Sequence, residues 1–336
     1  MPREAQDAPA YRRALVTFGV ISALALLWLG MQWGGAGPTV VFTNLLHLGA
    51  PLVAAALAWR RANSEPAAAQ ERGWRWLALA CWMWAVGQMA WMTHEFWFQR
   101  ATPLVERILP FPYVSDIGFL AFFVAAIPGL LLLPRGLFQA TSRIRLAQDA
   151  ALVALSVALL AWVFFLRRIA ADAVAEDPLS MVVLLAYPTL DVILVIVAAL
   201  VSAYAVPEER GSLRLLMAGA AILAVGDAAF FLLAQSRLVY VSIADATWPA
   251  AFFCFGLAAL HRGPAAAKLG WVRTGPFSAT LAAAALVAGL RAFMARDDPL
   301  AISLATAVGL ILAWRWVQSA RETRRARMTA SQVTQG

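Results

Sequence analysis

Long apolar runs, separated by short polar segments, follow one another along almost the whole chain. A helix that crosses a bilayer needs roughly 20 mostly apolar residues, and about ten runs approach or exceed that length. They cover residues 14–33, 39–59, 74–94, 112–133, 146–166, 179–205, 213–235, 239–260, 276–294 and 299–317. The pattern predicts an all-α, polytopic transmembrane helix bundle of about ten spans, with a short tail over 1–13 and a basic segment over 318–336.

The composition supports a membrane protein and excludes several other classes. Hydrophobic residues make up 62% of the chain and charged residues 14%, whereas soluble domains carry roughly 25% charged residues. No segment between the predicted spans is long enough to form a soluble domain, so the net charge of +8 does not indicate binding to nucleic acid. The lipid bilayer is the expected partner.

The distribution of basic residues predicts the orientation. Most of the 27 Lys and Arg residues fall in one alternating set of segments, namely the two termini and residues 60–75, 135–145, 207–214 and 262–273. Because cytoplasmic loops accumulate Lys and Arg, both termini are expected to be cytoplasmic.

Two pairs of predicted spans are similar in sequence. Trp84-Ala-Val-Gly-Gln88 in the third span resembles Leu223-Ala-Val-Gly-Asp227 in the seventh. The fourth span begins with Tyr113-Val-Ser-Asp116, and the eighth begins with Tyr240-Val-Ser242 followed by Asp245. Spans 3–4 and 7–8 could therefore be a parallel internal repeat, with its axis along the membrane normal, although short apolar sequences also match by chance.

Polar side chains inside the apolar runs are the candidate site residues, because charges within a span are costly and tend to face a cavity or a partner. The predicted topology places most of them in the outer halves of their helices, which indicates a polar cluster open to the outer side. Such a cluster would suit a small polar or cationic ligand, or a metal ion held by histidine and carboxylate side chains. The residues are His47, Gln88, His94, Glu95, Asp116, Asp191, Asp227 and Asp245.

Structural roles are the alternative for several of these residues. Asp116 and Asp245 stand near predicted helix starts, where a carboxyl caps free backbone N–H groups. If the sixth span begins at Pro188, Asp191 is an ordinary acid of the first turn. Asp227 has no helix-start signal nearby, so it is expected to pair with a polar residue on a neighbouring helix.

The sequence provides no motif for catalysis, metal binding or a cofactor. A Walker A loop, a Gly-rich dinucleotide fingerprint, His-Glu-x-x-His and a nucleophile elbow are all absent. The two cysteines, Cys81 and Cys254, lie within apolar runs and lack metal-ligand spacing. His47 and His94 are expected to be hydrogen-bonded packing residues rather than metal ligands. The chain is therefore not predicted to be an enzyme.

Several short elements resemble a known family. They are Pro112-Tyr113-Val-Ser-Asp116, Tyr187-Pro188-Thr-Leu-Asp191, Asp245-Ala-Thr-Trp248 and the Arg-rich helix that follows the last span. Together, over residues 73–327, they resemble the multi-span N-terminal membrane region that precedes GGDEF and EAL domains in bacterial cyclic-di-GMP signalling proteins. The chain contains neither of these domains, so the family's enzymatic activity does not carry over to it.

The resemblance implies a sensor-like input module in the bacterial inner membrane. It would relay a stimulus through the last helix to a cytoplasmic signalling partner or output domain, and a homodimer would suit such a relay. Asp116, Asp191 and Asp245 match the positions of the family-like elements. Two other hypotheses stay open: a small-solute or ion transporter, and an assembly subunit of a larger membrane complex.

Overall fold

A computed structural model of the chain describes residues 4–98, 112–134, 178–203, 205–206, 208–235, 242–262 and 299–314, with isolated positions between 148 and 163 and at 317. These residues form helices joined by short turns and contain no β-strand. The helices are α1 (Glu4–Met31), α2 (Ala36–Asn63), α3 (Ala68–Thr93), α4 (Val114–Leu132), α5 (Pro178–Ala203), α6 (Arg210–Gln235), α7 (Thr247–Leu260) and α8 (Pro299–Trp314). A π-helical turn, His94–Phe98, extends α3, and a 3-10 turn, Ile243–Ala246, leads into α7.

Six of the described helices are long and apolar enough to cross a membrane, and this confirms the all-helical, multi-span prediction in its general form. They are α1 from Pro9, α2, α4, α5, α6, and the 3-10 turn continued by α7. The length of α3 is sufficient, but its polar first turns and its tryptophans lower its mean hydropathy. Residues 146–166 and 276–294 lie largely or wholly outside the described residues, so ten spans remain a prediction.

Two helix starts differ from the sequence-based expectation. Helix α1 begins at Glu4, so much of the expected N-terminal tail is helical. Helix α5 begins at Pro178 and contains Pro188 in its interior, so the interpretation of Pro188 as a helix start is wrong. The predicted basic exit helix and tail, residues 318–336, lie outside the described residues.

The chain divides into two compact units. The first comprises residues 1–140 and 169–270, and the second comprises 141–168 and 271–336. In the second unit, α8 packs against the described helical positions near 152–163. There Leu152 contacts Val308 and Leu159 contacts Ala301, and all four side chains are buried.

In the first unit, α2 to α7 form a closed ring in which each helix packs against the next and α7 packs against α2. Helix α1 lies outside the ring against α7, where the rings of Phe18 and Phe253 stack at 4.6 Å. The first unit therefore positions six helices around one shared interior.

Contacts between the ring helices define their directions. Helices α2 and α7 run parallel, because His47 meets Asp245 near their starts and Arg61 meets His261 near their ends. Helices α4 and α5 run the same way, while α3 and α6 run in the opposite direction. We call the end at which α2, α4, α5 and α7 begin the polar end, and the opposite end the basic end.

Aromatic side chains fill the centre of the ring, one to two turns from the polar end. Trp84 of α3 packs against Phe122 of α4 and Phe252 of α7, with ring centroids 5.4 and 5.3 Å apart. Phe122 also stacks on Phe255 at 6.1 Å. Because Trp84, Phe122 and Phe252 are all buried, this part of the interior is closely packed.

Candidate functional site

The candidate site is a network of polar side chains at the polar end of the ring. Every ring helix, or the helical turn next to it, contributes to the network. It contains seven of the eight residues singled out from the sequence, and His94 borders it. Asn44, Tyr187 and Trp248 complete the set.

On one side of the ring, amide groups surround a buried glutamate. The Asn44 side-chain amide donates to Glu95 Oε2 at 2.6 Å, and Gln88 Nε2 donates to Asn44 Oδ1 at 2.8 Å. All three side chains are buried. Since a buried carboxylate is stabilised by hydrogen bonds from amide donors, Glu95 occupies a well-compensated position.

Asp116 and Asp245 both cap helical turns, as the alternative interpretation of the sequence predicted. The Tyr113 backbone N–H donates to Asp116 Oδ2 at 2.6 Å, and the Ser242 backbone N–H donates to Asp245 Oδ2 at 2.5 Å. Each aspartate is the third residue of its turn, which is the position of the acid in a capping box. Capping thus accounts for the hydrogen bond to one oxygen of each carboxyl.

Each of these capped turns also makes a polar contact with the neighbouring helix. The Tyr187 hydroxyl of α5 donates to Asp116 Oδ1 at 2.6 Å. His47 Nε2 of α2 donates to the Asp245 backbone carbonyl oxygen at 2.7 Å, and this bond defines the proton-bearing nitrogen. The two contacts connect the two halves of the ring, α2–α4 and α5–α7, at the polar end.

Asp191 and Asp227 form the least compensated part of the network. The Trp248 indole N–H donates to Asp227 Oδ1 at 2.6 Å, so the prediction that Asp227 pairs with a neighbouring helix is confirmed. The Asp191 and Asp227 carboxyls also interact directly with each other. One oxygen of each, Asp191 Oδ1 and Asp227 Oδ2, is buried without a hydrogen-bond donor among the described residues.

Tyr187 and Trp248 hold this acid pair between them. The Tyr187 hydroxyl donates to Asp116 and lies within electrostatic range of Asp191 and Asp227, so it is near carboxyls from three helices. On the other side, the Trp248 ring packs edge-to-face against His47 at 5.2 Å. The acids are therefore enclosed by side chains rather than open to bulk solvent.

His94 lies at the border of the network. Its ring packs against Tyr113, with centroids 4.7 Å apart. Among the described residues, no group of three or more His, Cys, Asp or Glu side chains has the arrangement of a metal site.

The basic end has a different chemistry. Arg61 contacts Glu65 at 3.3 Å and donates to the His261 backbone carbonyl oxygen at 3.2 Å, and Arg262 donates to the Ser64 hydroxyl. Partial burial and the nearby Arg61 guanidinium lower the pKa of the His261 imidazole below its ordinary value. These groups tie together the ends of α2 and α7.

The sequence contained signals for the residues that complete the network. Tyr187 precedes Asp191 by four positions, which places both on one helix face, and Trp248 follows Asp245 by three. Both lay within the quoted motifs but were not assigned to the site, because tyrosine and tryptophan in an apolar helix are usually attributed to packing or to the membrane interface.

Comparison with known proteins gives no assignment. No protein-family model matches the chain, and no curated protein and no solved structure matches it. The class follows from the fold itself. Six apolar helices of membrane-spanning length define a multi-pass, all-helical membrane protein.

Proposed function

We propose that the chain is an integral membrane signal-input module whose sensing element is the polar network at the polar end of the ring. The carrying observation is the Asp191–Asp227 pair, which is buried within the network and has one oxygen on each carboxyl that no donor among the described residues reaches. Ionisable residues inside a membrane region commonly mark a functional site. A stimulus that alters this pair would alter contacts among α5, α6 and α7.

The packing of the ring favours sensing over transport. The aromatic cluster of Trp84, Phe122, Phe252 and Phe255 fills the interior between the polar network and the basic end. A solute bound among the acids would have to displace these side chains to pass further along the ring. A site that binds from one side and changes the helix packing fits this arrangement better than a pathway does.

The proposed orientation puts the polar end outside and the basic end in the cytoplasm of a bacterial inner membrane. Arginines of α2, α3 and α6, together with Arg262, lie at the basic end, which agrees with the enrichment of basic residues on the cytoplasmic side. A fifth span over residues 146–166, between α4 and α5 in the sequence, stays part of the proposal.

A parallel repeat within the ring is part of the proposal. Gly87 of α3 lies against Gly118 of α4, and Gly226 of α6 lies against Thr247 of α7. Nearer the basic end, Gly73 approaches Gly129, and Ser212 donates to the Ala258 carbonyl oxygen at 2.7 Å. The two α3 positions precede their counterparts in α6 by the same number of residues. The two α4 positions likewise precede their counterparts in α7 by one constant number of residues. This regularity supports the similarity seen in the sequence.

A relay assay on the full chain tests the proposal. Ser319→Cys, in a Cys81→Ser and Cys254→Ser background, is labelled with an environment-sensitive fluorophore and reconstituted in proteoliposomes. We expect the fluorescence to respond to an external change in pH, salt or small polar solutes, and Asp191→Asn and Asp227→Asn to abolish the response. Glu71→Gln, which changes a partly exposed acid at the basic end, is the control and retains it.

The same proteoliposomes distinguish the alternative function. A transporter gains support from the intramembrane acids and from the proposed repeat. Accumulation of a radiolabelled solute that depends on Asp191 would establish transport and overturn the input-module proposal. A fluorescence signal that stays constant across all additions would also overturn it.

A further inference from the structure

We propose that Asp191 and Asp227 share one exchangeable proton, so that the ligand of this site is the proton itself. This inference rests on the proposed function in that it names the input of the same site. The structural basis is two facing carboxyls on adjacent helices, each with a buried oxygen that no described donor reaches.

Burial makes the fully ionised pair unfavourable. Asp191 is 4% exposed and Asp227 is 5% exposed, so neither carboxylate can be stabilised by bulk water. Two like charges at close range in an apolar environment repel each other strongly. A single proton between them removes one charge and provides the missing donor.

The neighbouring residues supply no alternative counter-charge. Helix α4 contributes Asp116, α5 contributes Tyr187, and the 3-10 turn before α7 contributes Asp245, with His47 of α2 behind Trp248. Within the described part of the chain, no Lys or Arg lies at the polar end.

A proton fits the site better than a metal cation does. Metal ions in protein sites are generally held by several oxygen ligands, but the described residues here offer only two facing carboxyls, and Asp227 Oδ1 already accepts from Trp248. Protonation forms one O–H bond on a carboxylate oxygen, takes its proton from water and requires no other co-reactant.

Glu95 is a natural comparison, because it is equally buried but accepts a hydrogen bond from Asn44. A described side chain donates a hydrogen bond to Glu95, whereas no described donor reaches Asp191 Oδ1 or Asp227 Oδ2. The shared proton is therefore expected on the aspartate pair and not on Glu95.

Infrared spectroscopy of the detergent-solubilised full chain tests this assignment. At neutral pH we expect a C=O stretching band of a protonated carboxyl that shifts in D2O. Asp191→Asn and Asp227→Asn should each lose that band, because the introduced amide provides the donor that the proton supplied. The control Glu71→Gln, at the basic end, should retain it, and Glu95→Gln shows whether the buried glutamate contributes a band of its own.

A second measurement, the melting temperature as a function of pH, tests for the same proton. Because the folded pair holds a proton that the unfolded chain releases, the melting temperature of the wild-type protein should fall as pH rises. Asp227→Asn should remove this decline, and Glu71→Gln should keep it.

Three outcomes would overturn the inference. These are the absence of a protonated-carboxyl band in the wild type, a band that disappears only in Glu95→Gln, and stabilisation of the pair by Na⁺ or K⁺ at high pH, which would identify a cation as the ligand. Neither measurement uses the relay or solute flux. A failed relay with an intact band would therefore contradict the signal-input function and leave the proton site standing.

Discussion

At the basic end of the first unit, acidic and basic side chains occur together. Arg75 contacts Glu71 at 2.5 Å, and Arg61 contacts Glu65 at 3.3 Å. At the polar end, the described side chains that can carry a full charge near neutral pH are carboxyls and histidines. There the carboxyls accept hydrogen bonds from backbone N–H groups or from neutral side chains, or they interact with each other.

This difference separates two uses of charge in one helix ring. Ion pairs near a surface contribute little stability, so the basic end is suited to setting the orientation and joining helix ends. Buried acids without counter-charges oppose folding unless a proton or a ligand compensates them. They are therefore better explained by a function at the polar end than by a contribution to stability.

The largest effect is expected where α3 and α4 cross at the polar end. A Cβ at Gly118 would lie 2.5 Å from the Gly87 backbone nitrogen and 2.7 Å from the Met83 carbonyl oxygen. Because backbone atoms cannot move aside as a side chain can, we expect Gly118→Ala to lower the free energy of unfolding by about 2–3 kcal/mol. Denaturation in mixed detergent micelles measures this change.

Two glycine variants serve as controls for that crossing. Gly129→Ala, nearer the basic end, meets backbone atoms at 3.1 and 3.2 Å and should cost about 1 kcal/mol. Gly49→Ala on α2 meets nothing within 4 Å and should be close to neutral. Equal losses for Gly118→Ala and Gly129→Ala would contradict the tighter approach at the polar end.

The next effect concerns the hydroxyl that links the two halves of the ring. Tyr187→Phe removes the donor to Asp116 Oδ1 and leaves that partly buried oxygen without its tyrosine partner. The expected loss is about 1 kcal/mol, measured by the same denaturation.

Tyr11→Phe provides the control from the basic end. Tyr11 packs its ring against His261, and phenylalanine preserves that contact, so no comparable loss is expected. If both tyrosine variants lost the same stability, the hydroxyl at the polar end would have no special role.

Local chemistry made part of this site predictable from the sequence. The capping roles of Asp116 and Asp245 follow from the short polar elements before their helices. The need of Asp227 for a polar partner follows from its depth in an apolar run.

The rest depends on tertiary structure. The short connection between α5 and α6 predicts that they run antiparallel, but no local signal encodes the register that brings Asp191 to face Asp227. Pro188 was misleading for a physical reason: proline usually marks the first turn of a soluble helix, but helices in membrane proteins tolerate it in their interior.

The smallest effect is a pH dependence at the basic end, with the opposite sign to that proposed for the polar end. Burial and Arg61 disfavour the charged form of His261, so its pKa in the folded protein lies below the ordinary value of 6.5. As pH falls through 6.5, the unfolded chain takes up a proton that the folded chain does not. The melting temperature should therefore decline slightly on the acid side.

His261→Gln should remove this acid-side decline and leave the proposed alkaline-side decline unchanged. His94→Gln, a substitution at the other end, leaves the His261 environment intact and should keep the acid-side slope. Melting curves over a pH series measure both slopes in one experiment. Loss of both slopes in His261→Gln would mean that the two ends titrate as one unit, and the distinction between a structural end and a proton-binding end would then fail.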